Sequence, residues 1–147
     1  AAGESSRFYQ SLVYSERSAQ DAGFEAELHR DAGLVVAYAI AASGTPLRKL
    51  EDGLLREIEK LATQPIAEAE LNKVRARLLT SALVGRETPH GQAQAVGWSL
   101  LLHDDAHYVD RELALLQAVT AADVQRVLKR HVLDAHRASI EYTQGAR

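Results

Sequence analysis

Two neighbouring segments restrict the fold more than any other part of the chain. Residues 20–29 alternate apolar and polar, with Ala22, Phe24, Ala26 and Leu28 on one side. A period of two is the pattern of a strand with one buried face. Residues 34–42 are apolar at nearly every position, the pattern of a strand covered on both faces. Between them stands Arg30-Asp31-Ala32-Gly33, a turn in which glycine can take the positive φ that other residues resist. So short a link joins only antiparallel neighbours. A hairpin is predicted, with its second strand central in the sheet. Ala37, Ala39 and Ala41 leave one face of that strand smooth enough for a helix to approach closely.

Helical spacing dominates the rest. Residues 5–16 read as an opening helix with Phe8, Tyr9, Leu12 and Val13 apolar. Thr45-Pro46 starts the next helix: Thr can cap, and Pro in the first turn loses no hydrogen bond. Leu47, Leu50, Leu54, Ile58 and Leu61 recur at spacings of three and four, a buried stripe that ends at Gln64-Pro65. A further helix carries Leu71, Val74, Leu78 and Ala82. Another, after Thr88-Pro89, carries Ala93, Val96 and Leu100, and one from Tyr108 carries Leu113 and Leu116. Thr120 with Asp123 forms a short-armed capping box for a last helix. Ala138, Ile140 and Tyr142 alternate as a final strand. Strands at both ends with helices between predict an α+β fold: an antiparallel β-sheet with helices packed on one face. Residues 1–147 show no repeat or linker and read as a single domain.

Composition closes off several classes of function. Seventeen Lys and Arg against 20 Asp and Glu leave a net charge of −3, so no basic field draws nucleic acid. Without cysteine there is no disulfide, thiolate metal site or cysteine nucleophile. The longest apolar run, 34–42, is too short to span a membrane, and no signal peptide is present. Neither a G-x-S-x-G elbow nor a G-x-x-x-x-G-K-[ST] phosphate loop occurs.

Gly3-Glu4-Ser5-Ser6-Arg7-Phe8-Tyr9 leads through the opening helix into Ala22-Gly23-Phe24-Glu25-Ala26-Glu27-Leu28. This succession resembles the C-terminal, non-catalytic domain of the insulinase/pitrilysin-like zinc peptidases. Ala39-Ile40-Ala41-Ala42-Ser43-Gly44, Gly85-Arg86-Glu87-Thr88, Arg111-Glu112-Leu113 and Val119-Thr120-Ala121-Ala122-Asp123-Val124 agree in order and spacing over nearly the whole chain. The resemblance implies pairs of such domains closing around an unfolded peptide, with zinc on a catalytic domain of the parent enzyme and no cofactor in this chain. It implies that this domain forms part of the chamber and holds subunits together. The implied partners are other domains or subunits of the same peptidase and an unfolded peptide substrate, with no nucleic acid or membrane. It also implies a helix and a strand before the opening helix. The chain has no Met and is expected to be truncated at its N-terminus. The vacant sheet edge then predicts self-association. A signal region would lie outside the chain, which leaves the bacterial periplasm and cytoplasm both open.

The family's zinc signature is H-x-x-E-H, in which two His hold Zn²⁺ and the Glu is the general base. His103-Asp104-Asp105-Ala106-His107 keeps the outer spacing, but Ala106 cannot take a proton. The downstream Glu ligand that the resemblance implies does not follow within the chain. The segment reads as an interhelical turn with two solvated histidines. No residue is assigned to catalysis or to a metal, and the chain alone is expected to be inactive. The family also uses an Arg after the Leu of an F-x-x-L segment, and a Tyr seven residues on, to hold the substrate backbone. Val13 and Gln20 stand there; Val has no donor and Gln no phenol, so the substrate-binding residues stay unassigned. Helical geometry points Tyr14 and Arg17 elsewhere. Arg7 reads as a structural contact at the helix start, and Trp98 as packing between helix and sheet. His131 reads as a charge at a helix C-terminus, and Arg86-Glu87 as a structural pair. Two other readings share these features. One is a non-peptidase assembly subunit of the same fold, like the core subunits of respiratory complexes. The other is a small metal hydrolase using His103 and His107.

Overall fold

The computed structural model describes residues 3–143. The chain gathers into two compact units. One holds the residues up to Glu25, Val35–Gln64 and those from Gln125 onward; the other holds Ala26–Leu34 and Pro65–Val124.

The first unit starts at Gly3, whose φ of 97° suits a residue without Cβ. The Gly3 carbonyl accepts from the Ser6 amide at 2.9 Å. Ser6 is buried, and its hydroxyl accepts from the Tyr9 amide at 3.3 Å. The Gly-x-Ser-Ser-Arg run therefore starts a helix. That helix widens to π geometry over Tyr9–Ser15 and buries Leu12 completely, at 0% exposure. Arg17 then turns at φ 51°. Ser18 closes the helix end by donating its amide (2.9 Å) and hydroxyl (3.3 Å) to the Leu12 carbonyl. The chain passes straight into β1, Ala19–Leu28, which pairs antiparallel with β2, Gly33–Ala41. The hairpin is closed at its base by the Ala42 amide on the Ser18 carbonyl, 3.0 Å.

The inner face of the hairpin presents Ala22, Phe24, Ala37, Ala39 and Ala41 to a core of Phe8, Leu12, Leu50 and Ile58, with Val132 beside it. Alternation puts these residues on one side, and the small alanines let helices come close. Helix α1, Leu47–Thr63, buries Leu50, Gly53, Glu57, Ile58 and Ala62. A Cβ on Gly53 would sit 2.5 Å from Leu12 Cδ2, so a glycine here is what lets α1 touch the opening helix. Buried Glu57 accepts from Ser11 Oγ at 3.0 Å and Lys60 Nζ at 2.7 Å, which offsets the cost of placing a carboxylate inside. A second π-helical segment, Lys129–Leu133, supplies Val132. The fold is α+β, with helices on one face of an antiparallel sheet, as the sequence predicts.

The second unit contains α2 (Glu68–Gly85), α3 (Pro89–His103) and α4 (Tyr108–Ala118). Thr88 caps α3 by accepting from the Gly91 amide at 3.1 Å. A Cβ on Gly91 would fall 1.8 Å from the Gly85 carbonyl oxygen, so the α2–α3 corner requires glycine. Thr120 and Asp123 form the expected capping box at the start of α5, Ala121–Leu128. The Thr120 amide donates to Asp123 Oδ2 at 3.1 Å, and the Asp123 amide to Thr120 Oγ1 at 3.2 Å. Among the described residues no helix is long and apolar enough to cross a membrane.

Four expectations are corrected. β2 is not central: among the described residues the sheet has two strands, and Tyr38 and Ile40 are 37% and 53% exposed. An apolar run states composition; it does not supply the elements that would cover a second face. Residues 138–142 form no strand, and Ile140 and Tyr142 are 76% and 89% exposed. Alternation yields a strand only where a neighbour completes the ladder, and no described strand pairs with this segment. Trp98 does not pack between helix and sheet but stands 52% exposed on α3. Arg86 pairs with Glu112 Oε2 and the Val109 carbonyl, both at 2.9 Å, and not with its neighbour Glu87.

Candidate functional site

The histidine segment folds as the α3–α4 turn. Asp104 ends α3 in the left-handed region, φ 53°, which Asp tolerates better than most residues. The His103 imidazole stacks on the Tyr108 ring, centroids 3.6 Å apart, and the Arg111 guanidinium lies 5.5 Å from the same ring. Asp105 Oδ1 accepts from the His107 amide at 2.8 Å, and Asp105 also pairs with Arg111. The His107 amide holds the Asp105 carboxyl below the usual carboxylate value; burial opposes it, and the Arg111 charge adds to the lowering. Asp104 pairs with Arg30 at 2.9 Å. Among the described residues no group of three or more His, Cys, Asp or Glu could hold a metal ion. Position 106 offers no carboxylate, and the carboxylates of Asp104 and Asp105 are engaged by Arg30 and Arg111. The interactions of the turn are those of a stapled corner.

The other sequence-predicted residues do not converge. Val13 is half-buried against the hairpin core, while Gln20 is exposed on β1. Tyr14 is exposed and donates weakly to Glu4 Oε2 at 3.4 Å; the Glu4 charge pushes its phenol up. Arg17 is the left-handed helix end, Arg7 is half-buried at the helix start, and His131 is exposed in the second π-segment.

The surface that does gather chemistry is the outer face of the hairpin. Asp21, Gly23 and Glu25 lie on it from β1; Val36, Tyr38 and Ile40 lie on it from β2. The register is fixed by Gly23, because a Cβ there would meet the Tyr38 ring at 2.6 Å. Asp21 Oδ1 accepts from the Ala22 amide at 2.9 Å. The Asp21 charge, then partial burial and Glu25, push the Tyr38 phenol up. The face joins an exposed aromatic–aliphatic row to two carboxylates. Sequence reasoning missed it by covering β2 on both sides. The available signal was Gly23, since a glycine inside an alternating strand marks close approach of another group.

Comparison with known proteins agrees with this architecture. The family model described as the peptidase M16 inactive domain matches residues 1–78, more than half of the chain. A proposed zinc protease from Bordetella pertussis Tohama I is similar at 23% identity and TM-score 0.76, over 87% of this chain and 69% of that one. The inactive peptidase domain of a proposed zinc protease from Bordetella parapertussis gives 23% identity and TM-score 0.77, with the same coverage. The periplasmic protease PqqL from Escherichia coli gives 17% identity and TM-score 0.67, over 86% of this chain and 14% of its own length. At these identities the likenesses establish the fold. No curated protein matches the chain. On the family match, this chain belongs to the peptidase M16 family, through the inactive domain of that family.

Proposed function

We propose that the chain is the non-catalytic domain of a zinc metallopeptidase, one domain over residues 1–147. It forms part of the chamber that encloses peptide substrates and holds subunits together, while zinc chemistry proceeds on another domain. The observation that carries this reading is the family match to an inactive domain. Two features of the chain support it. Ala106 stands where the zinc signature needs a base, and Val13 and Gln20 stand where the family places its substrate-holding Arg and Tyr. The contribution is therefore shape and backbone, not proton transfer. The hairpin also has one unpaired edge on each strand among the described residues. Such an edge offers N–H and C=O groups to an extended peptide with little demand on its side chains. The same edges provide a route to pairing with another subunit or a second copy of the chain. The test is incubation with a quenched unstructured peptide and Zn²⁺. No turnover is expected; metal-dependent turnover that disappears in His103→Ala would refute the reading.

A further inference from the structure

We infer that the outer face of the hairpin selects cationic peptide segments, extended stretches in which Lys or Arg alternate with aliphatic or aromatic residues. This rests on the peptide-enclosing reading above and names the substrate class of that surface. The apolar half is Val36, Tyr38 and Ile40, with Tyr38 held in place over Gly23. The charged half is Asp21 and exposed Glu25. Neither β1 nor β2 contains a Lys or Arg, and among the described residues no ion pair engages Asp21 or Glu25. The face is thus an apolar row beside two carboxylates that no ion pair among the described residues engages, Asp21 accepting a hydrogen bond from the Tyr38 phenol.

Charge decides the occupant. A second copy laid face to face would bring four carboxylates into one contact with no cation to answer them. A polyanion or an anionic bilayer is repelled by the same pair. A cationic peptide gains both halves of the face: its aliphatic side chains cover Ile40 and Val36, and its ammonium or guanidinium groups meet Asp21, Glu25 and the face of Tyr38. Geometry sets the spacing. Asp21 and Glu25 lie four residues apart on one strand, about 13 Å at roughly 3.3 Å per residue. An extended peptide with cations at i and i+4 and an apolar residue at i+2 has the same repeat.

The probes are three labelled peptides of equal length built on Lys-x-Leu-x-Lys, Gln-x-Leu-x-Gln and Glu-x-Leu-x-Glu, titrated with the full chain and followed by fluorescence anisotropy. At low salt the lysine peptide is expected to bind about tenfold tighter than the glutamine peptide, with the glutamate peptide weakest. Glu25→Gln should weaken the lysine peptide about threefold, and the Asp21→Asn/Glu25→Gln pair about tenfold, the scale of exposed ion pairs. The preference should fade as salt rises. Ile40→Thr should weaken the lysine and glutamine peptides alike. Circular dichroism checks that each variant is folded, and Glu25→Gln alters an exposed side chain outside the core. Equal binding of the three peptides, or binding unchanged in the double variant, overturns the cationic preference and leaves the enclosing reading in place. No binding by any peptide overturns both. A dimer in the free chain that is abolished by Ile40→Thr would assign the face to a second copy and also overturn the proposal.

Discussion

Gly53→Ala should destabilise this protein, yet stabilise it once Leu12 is shortened. In a helix interior, Gly to Ala gains about 1 kcal/mol of propensity. At Gly53 the new methyl would lie 2.5 Å from Leu12 Cδ2. Leu12 is completely buried and has nowhere to retreat. Overpacking of this kind costs about 1–3 kcal/mol, so the net effect is a loss of about 1 kcal/mol. Leu12→Ala alone should cost about 3–4 kcal/mol through the cavity it leaves. In that background the Gly53→Ala methyl enters the cavity. It keeps the propensity gain and adds about 0.8 kcal/mol for a buried methyl, for a gain of nearly 2 kcal/mol. The double-mutant cycle should therefore give a coupling of about 3 kcal/mol, the upper range for residues in contact. Urea unfolding followed by circular dichroism reads all four proteins. If Gly53→Ala has the same sign and size in both backgrounds, the close approach of α1 to the opening helix is wrong.

Gly91→Ala should be more damaging than its propensity gain can offset, by about 2 kcal/mol or more, because the clash is with the Gly85 backbone carbonyl; an unchanged thermal midpoint would refute it. Asp105 should titrate by NMR below the ordinary aspartate value of 3.8, since the His107 amide and the Arg111 charge favour its ionised form. Its contribution to stability is whole above 3.8 and is lost as pH falls through the lower folded-state value; a midpoint at or above 3.8 contradicts the corner geometry. Trp98, the only tryptophan and 52% exposed, should emit at long wavelength and be quenched readily by acrylamide; blue-shifted, protected emission would refute its placement.

The parts of the fold legible in the sequence are those that local chemistry decides. The hairpin follows from alternation and a four-residue link, and the Thr120–Asp123 box from two residues three apart. The rest depends on partners that no local pattern names. The run 34–42 is apolar, but whether anything covers Tyr38 and Ile40 is settled elsewhere in the molecule. Helix α3 contains no Asp, Glu, Lys or Arg, so no charged stripe orients it and its pattern does not say which way Trp98 faces. Glu112, the partner of Arg86, lies 26 residues along the chain, beyond any helical spacing. The histidine corner was legible in what it lacks, a base at Ala106, but not in its stacking of His103 on Tyr108. The outer hairpin face is hidden for the same reason, since an apolar run over 34–42 reads as covered on both sides.

On the function proposed above, this domain meets peptide through its hairpin and performs no chemistry at its histidine corner. Titrating the ¹⁵N-labelled chain with an unstructured cationic peptide in the presence of Zn²⁺ tests it most directly. Amide shifts are expected to cluster on Ala19–Leu28 and Gly33–Ala41, with the peptide recovered intact. Shifts confined to the turn between α3 and α4 around His103 and His107, or recovery of cleaved peptide, would contradict the account.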